Sequence, residues 1–132
     1  MRELLAALRS VPAGGSVLCW GDAAAAQLLH ERRRDRVTAA DFDGRARLPY
    51  LDASFLAAVY RSESQVNAAI AAELCRLASR YAAVCYASGL LRARHRAIEV
   101  LFRAHGFRPL SRAARRLWLR PEWCAVYLRD RP

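Results

Sequence analysis

The chain has no lysine; all 22 of its basic residues are arginine. That excludes a Walker-type phosphate loop, whose lysine reaches the terminal phosphates, and any lysine-based catalytic set. No apolar run approaches the roughly 20 residues of a membrane-spanning helix, so no membrane span is expected. The N-terminal segment is broken at Pro12, Gly14 and Gly15 and does not read as a secretory leader. The four cysteines, Cys19, Cys75, Cys85 and Cys124, form no C-x-x-C and no Cys/His ligand spacing, so no metal site is expected. Three of them lie in strand-like apolar runs, where buried free thiols are common. A reducing, cytoplasmic setting fits that usage. Nucleophile-elbow chemistry is absent too, because Ser88-Gly89 lacks the surrounding G-x-S-x-G. His30, His95 and His105 are scattered, and His105 beside Gly106 reads as a helix-end cation. Repeats, low-complexity tracts and long linkers are missing, so 132 residues read as a single domain, 1–132.

What is present is alanine, arginine and a full complement of core formers. Hydrophobic residues make up 55% of the chain, enough to bury a real core. The formal net charge of +10 favours polyanions. Arginines gather at 32–34, at Arg92, Arg94 and Arg96, and from Arg108 to Arg120. They are not interleaved with aromatics as in a nucleic-acid module, and a solvated face is the plainer reading of them. Nucleic acid stays open as a partner on charge alone.

Strands and helices alternate along the chain. Leu4, Leu5 and Leu8 mark a short helix ended by Pro12-Ala13-Gly14-Gly15. Ser16–Trp20 has the length and character of a strand, and Asp22 is placed to cap a helix over Ala23–Arg33. Val37–Ala40 is a second strand and Phe55–Tyr60 a third. Glu63–Ser79 reads as an amphipathic helix with Val66, Ile70, Leu74 and Leu77 as its stripe. The wholly apolar Tyr81–Tyr86 suits a central buried strand. Ala93–His105 reads as a helix burying Ile98, Leu101 and Phe102, with Gly106 as its left-handed cap. Leu117–Leu119 and Trp123–Leu128 read as a closing antiparallel hairpin around Pro121. Trp118, Trp123 and Tyr127 are taken as core or edge packing. This alternation predicts an α/β sheet with parallel strands and right-handed crossovers.

Three segments carry a resemblance. Leu48-Pro49-Tyr50-Leu51-Asp52-Ala53-Ser54-Phe55 followed by Val59 is similar to the "LPF-x-D-x-SFD-x-V" segment of class I S-adenosylmethionine-dependent methyltransferases, especially those acting on small molecules. Val37-Thr38-Ala39-Ala40-Asp41 looks like their "V-T-A-x-D" strand ending. Trp20-Gly21-Asp22 falls where they carry G-x-G-x-G, here with alanine around Ala23 and Ala25 in place of the later glycines. The resemblance implies a truncated Rossmann-like methyltransferase fold, with a mostly parallel central sheet, helices on both faces and a C-terminal antiparallel hairpin. It implies S-adenosylmethionine as cofactor, held around Trp20, Gly21, Asp22, Asp41, Phe42 and Tyr60, and a small-molecule substrate. Asp41 would accept hydrogen bonds from both ribose hydroxyls, a task for a pure acceptor, and Phe42 would pack on the adenine; both Asp41 and Asp43 are equally readable as loop carboxylates. Asp52 and Ser54 match a structural turn of the family.

The chain departs from that pattern between Phe42 and Arg47, where a helix and a strand expected by the family are missing. The sheet would lose an edge strand and the adenine site one wall. After Tyr60, the residues Arg61, Ser62 and Glu63 hold no recognisable catalytic set. A second reading is therefore a catalytically inactive scaffold or regulatory subunit of this fold, with a homodimer or partner protein at the exposed sheet edge.

Overall fold

The computed structural model describes residues 2–62, 66–87, 92–114 and 122–130. Helix α1 (Arg2–Ala7) tightens into a 3-10 turn over Leu8–Ser10, and strand β1 (Ser16–Trp20) follows. Helix α2 (Ala23–Arg33), strand β2 (Arg36–Ala40) and strand β3 (Phe55–Arg61) come next. The remaining elements are α3 (Ala68–Leu77), β4 (Ala78–Ala87), α4 (Arg92–Arg103), β5 (Phe107–Ala114) and β6 (Glu122–Arg129). The six strands form one sheet in the order β2-β1-β3-β4-β6-β5. The first four are parallel, β6 is antiparallel to β4, and β5 pairs antiparallel with β6 at the far edge.

Alternation along the strands sorts the core into two layers. Leu18, Ala58, Tyr60, Val84 and Tyr127 face the layer that holds Ile70, Leu74 and Leu77 of α3 and Ile98 and Phe102 of α4. Val17, Cys19, Val59, Cys85 and Val126 face the layer that holds Leu4 of α1 and Ala25 and Leu29 of α2. Helices thus cover both faces, as a parallel sheet requires.

Local chemistry sets most boundaries. Asp22 caps α2, its carboxylate accepting from the Ala25 N–H at 3.1 Å, and Asn67 does the same for α3. Arg34 closes α2 with φ of 59°. Its neighbour Arg33 is not on a solvated basic face: it pairs with the buried Asp35 at 2.8 Å and donates to the Leu8 and Val11 carbonyls, tying α2 to the N-terminal turn. Gly106 takes φ of 78° after α4.

Three expectations are corrected. Helix α3 is shorter than Glu63–Ser79: it ends at Leu77, and Ala78 and Ser79 already belong to β4. Arg129 explains this, because its guanidinium donates to the carbonyls of Cys75, Ala78 and Ser79 and satisfies the helix end without a further turn. The closing hairpin also differs. Its first strand is Phe107–Ala114, which the sequence left unassigned, paired with Glu122–Arg129. Leu101, expected to be buried, is half-exposed, whereas Ile98 and Phe102 are in the core. The expectations for Glu63, Ser88-Gly89, Leu117–Leu119, Trp118 and Pro121 lie outside the described residues.

Residues 41–54 form neither helix nor strand. They cross the α3 side of the sheet as a loop, with Leu48 and Tyr50 packed on the core, and β2 is left as an edge strand. Arg76 of α3 holds this loop: it donates to the Leu48 and Tyr50 carbonyls and pairs with Glu73 at 2.6 Å and Asp52 at 3.0 Å. The Leu48 N–H in turn donates to Glu73, and Ser54 Oγ donates to the Leu51 carbonyl. Asp52 and Ser54 are structural, as expected.

Candidate functional site

The carboxyl ends of β1, β2, β3 and β4 lie along one rim of the sheet, the edge where open parallel sheets take ligands. Register places the rim residues side by side: Trp20 beside Ala40 and Tyr60, and Arg61 beside Cys85. The Gly21 N–H donates to the Ala40 carbonyl at 2.8 Å, which fixes the first loop against the second.

Gly21 is needed there for two reasons. Its φ is 99°, and a Cβ would come within 2.7 Å of the Arg61 carbonyl oxygen. Only glycine makes this turn and this approach together. Ala25 is fully buried in α2, so its methyl points into the core.

Asp22 and Arg61 form the polar part of the rim. While capping α2, Asp22 also accepts a close hydrogen bond from Arg61. The same guanidinium donates to both carboxylate oxygens of Glu122, at 2.8 and 3.1 Å. Hydrogen bonding to Glu122 outweighs the cost of burial and holds Arg61 firmly protonated. One side chain thus links the ends of β1, β3 and the start of β6. In the sequence Arg61 reads only as a loop residue after the third strand and Glu122 carries no signal; register alone brings the two together.

On the other face the rim is aromatic. Trp20 and Tyr60 are fully buried and meet Phe42 edge-on, with ring centroids 5.3 to 5.6 Å apart. Of these three residues only Phe42 is partly exposed; Trp20 and Tyr60 can offer a ligand backbone atoms but not open ring faces. Trp20 Nε1 is a buried donor without a partner among the described residues. Asp41, next to Phe42, is exposed at the end of β2. Farther along, Tyr86 Oη lies 2.5 Å from His95 Nδ1, and the His95 ring meets Trp123 at a tilt of 60°, with centroids 4.2 Å apart. Burial, reinforced by Arg112, lowers the His95 pKa and favours the neutral ring. This His–Tyr pair was not visible in the sequence, where His95 carried no spacing signal.

The six residues expected around the cofactor therefore do converge on one rim. Gly21, Asp22 and Asp41 present backbone or carboxylate groups there, Phe42 presents part of a ring, and Trp20 and Tyr60 form the floor.

No protein-family model matches the chain, and no curated protein matches it. Solved structures do. The 1,6-didemethyltoxoflavin-N1-methyltransferase of Burkholderia thailandensis, solved with 1,6-didemethyltoxoflavin and S-adenosylhomocysteine bound, is 13% identical. The match covers 95% of this chain and 75% of that one, with a TM-score of 0.67. Magnesium protoporphyrin IX methyltransferase from Synechocystis PCC 6803, with bound S-adenosylhomocysteine, is 12% identical over 91% of this chain and 76% of that one, at a TM-score of 0.66. A methyltransferase from Pyrococcus furiosus is 11% identical over 97% and 81%, at 0.68. At these identities the likeness shows the fold: the chain has the class I methyltransferase fold.

Proposed function

We propose that this chain, built on the class I methyltransferase fold, binds S-adenosylmethionine on the rim formed by β1, β2 and β3 and methylates a small molecule. The observation that carries the reading is the exposed Asp41 carboxylate at the end of β2, pinned beside the Gly21 turn by the Gly21–Ala40 hydrogen bond. The cofactor would supply an electrophilic methyl group on a sulfonium. The residues present suit its nucleoside end. Asp41 offers two acceptor oxygens to a diol, Phe42 offers part of a ring to a base, and α2 begins at the rim with its N-terminal dipole facing it. At the amino-acid end stands the Arg61 guanidinium, held over the strand ends by Asp22 and Glu122. The protein's contribution is alignment of the acceptor rather than acid–base chemistry.

Calorimetric titration with S-adenosylhomocysteine tests this reading. Saturable binding is expected for the wild type and at least a roughly tenfold loss, about 1.4 kcal/mol, for Asp41→Ala, with thermal stability unchanged because the carboxylate is exposed.

A second reading has its own observation. The Asp22–Arg61–Glu122 bridge satisfies the rim with protein groups alone, as expected of an inactive scaffold or regulatory subunit. Wild-type protein that is folded and gives no heat with S-adenosylhomocysteine would favour it.

A further inference from the structure

The cysteines share no motif, yet the fold brings two of them together. Cys85 of β4 and Cys124 of β6 are directly paired across the antiparallel ladder, so their side chains leave the sheet on the same face. Glu122 lies two residues before Cys124 and therefore on that face as well. The two thiol sulfurs and a Glu122 carboxylate oxygen all lie within 4.8 Å of one another. Both thiols are buried, and Glu122 is half-buried. None of these three residues belongs to the reading above except through the contact of Glu122 with Arg61.

We infer that Cys85, Cys124 and Glu122 form a binding site for a thiophilic divalent cation, zinc being the type. Two arguments support it. Two sulfurs and one carboxylate oxygen are a donor set that zinc accepts. Zinc–sulfur bonds of about 2.3 Å place two tetrahedral sulfur ligands about 3.8 Å apart, inside the 4.8 Å envelope of the three ligand atoms. Arg61 opposes the cation, but its charge is balanced by Asp22 as well as Glu122. A Glu122 oxygen can accept from Arg61 and ligate a metal at once, so Arg61 would orient the ligand from behind. Binding forms two sulfur–metal bonds and one oxygen–metal bond and releases two protons; nothing is oxidised.

Sequence spacing hid this site because α4 and β5 separate the two cysteines. Only the insertion of β6 beside β4 joins them.

Cobalt(II) is the probe, added to the reduced, metal-free full chain. The expected result is a near-ultraviolet thiolate-to-cobalt band with tetrahedral visible bands, saturating at one ion per chain and displaced by zinc. Cys85→Ala and Cys124→Ala should abolish the bands and Glu122→Gln should weaken binding. Cys75→Ala, which removes a thiol in the other core layer, should leave them intact. If an alanine variant fails to fold, the wild type still decides through its charge-transfer band and a zinc-dependent rise in melting temperature. Folded protein that shows no such band overturns the proposal, as does a band that survives in both alanine variants. Fewer than four reactive thiols on denaturation of protein prepared without reductant would identify a cross-strand disulfide instead and would equally overturn it.

Discussion

Arg76 is the side chain on which the unusual middle of the chain depends. It is nearly buried and serves Glu73, Asp52 and two loop carbonyls at once. Removing one partner of a buried pair leaves the other charge unsatisfied. Arg76→Met is therefore expected to cost about 3 kcal/mol or more, read as a lowered urea midpoint. Its partner titrates in the same frame. Burial alone would raise the Glu73 carboxyl, but hydrogen bonds from Arg76 and the Leu48 N–H outweigh it and leave the pKa below the usual carboxylate value. A depressed carboxylate contributes its stability above the unfolded pKa of about 4.3 and loses it as pH falls through the folded value. Glu73→Gln should flatten the acid limb of the stability profile below about pH 5 and leave its neutral-to-basic shape unaltered. An unchanged acid limb would contradict this assignment. Neither Arg76 nor Glu73 stood out in the sequence. They are the two charged residues of α3 and pair with each other three residues apart, but their partners at Leu48, Tyr50 and Asp52 come only from the course of the 41–54 loop.

At the scale of elements, legibility followed the strength of the local signal. The strands Ser16–Trp20 and Phe55–Tyr60 and the helix Ala23–Arg33 were readable because apolar runs, alanine content and the Asp22 cap all point one way. Strand β5 was not. Phe107–Ala114 contains Pro109 and two arginines, and its register shifts between Pro109 and Ser111. An edge strand tolerates both, since its outer hydrogen bonds are unused. The end of α3 was misread because Ala78 and Ser79 carry no stop signal of their own; Arg129 supplies it from β6. That makes a sharp test. Arg129 also lies 4.6 Å over the Phe107 ring, so Arg129→Met should loosen the α3–β4 junction and the β5 edge together. A loss of about 2 kcal/mol is expected from hydrogen bonds to a charged donor, with faster amide exchange at the start of β4. A variant as stable as the wild type would show the junction to be set by packing alone.

For the molecule as a whole, the order of elements was legible and the rim was not fully so. Alternating strands and helices fixed the sheet type, and the missing stretch after Phe42 correctly left β2 at the edge. What the rim contains depends on register between distant strands, which is how Arg61 meets Glu122 and Cys85 meets Cys124. The arginine surplus also changes meaning. Arg33, Arg61, Arg76 and Arg129 are spent on internal carbonyls and carboxylates, while Arg32, Arg34 and Arg36 remain exposed together. The net charge should therefore give only weak polyanion binding without sequence preference, lost as salt rises toward physiological strength. A salt-resistant, sequence-selective complex would contradict that. Whether the rim holds a cofactor is read from a map of backbone amide shifts on adding S-adenosylhomocysteine. Saturable shifts concentrated at residues 21–25 and 41–42, with Arg61 joining them, are expected. Shifts confined to other parts of the sheet, or none at all in the folded protein, would rule the site out.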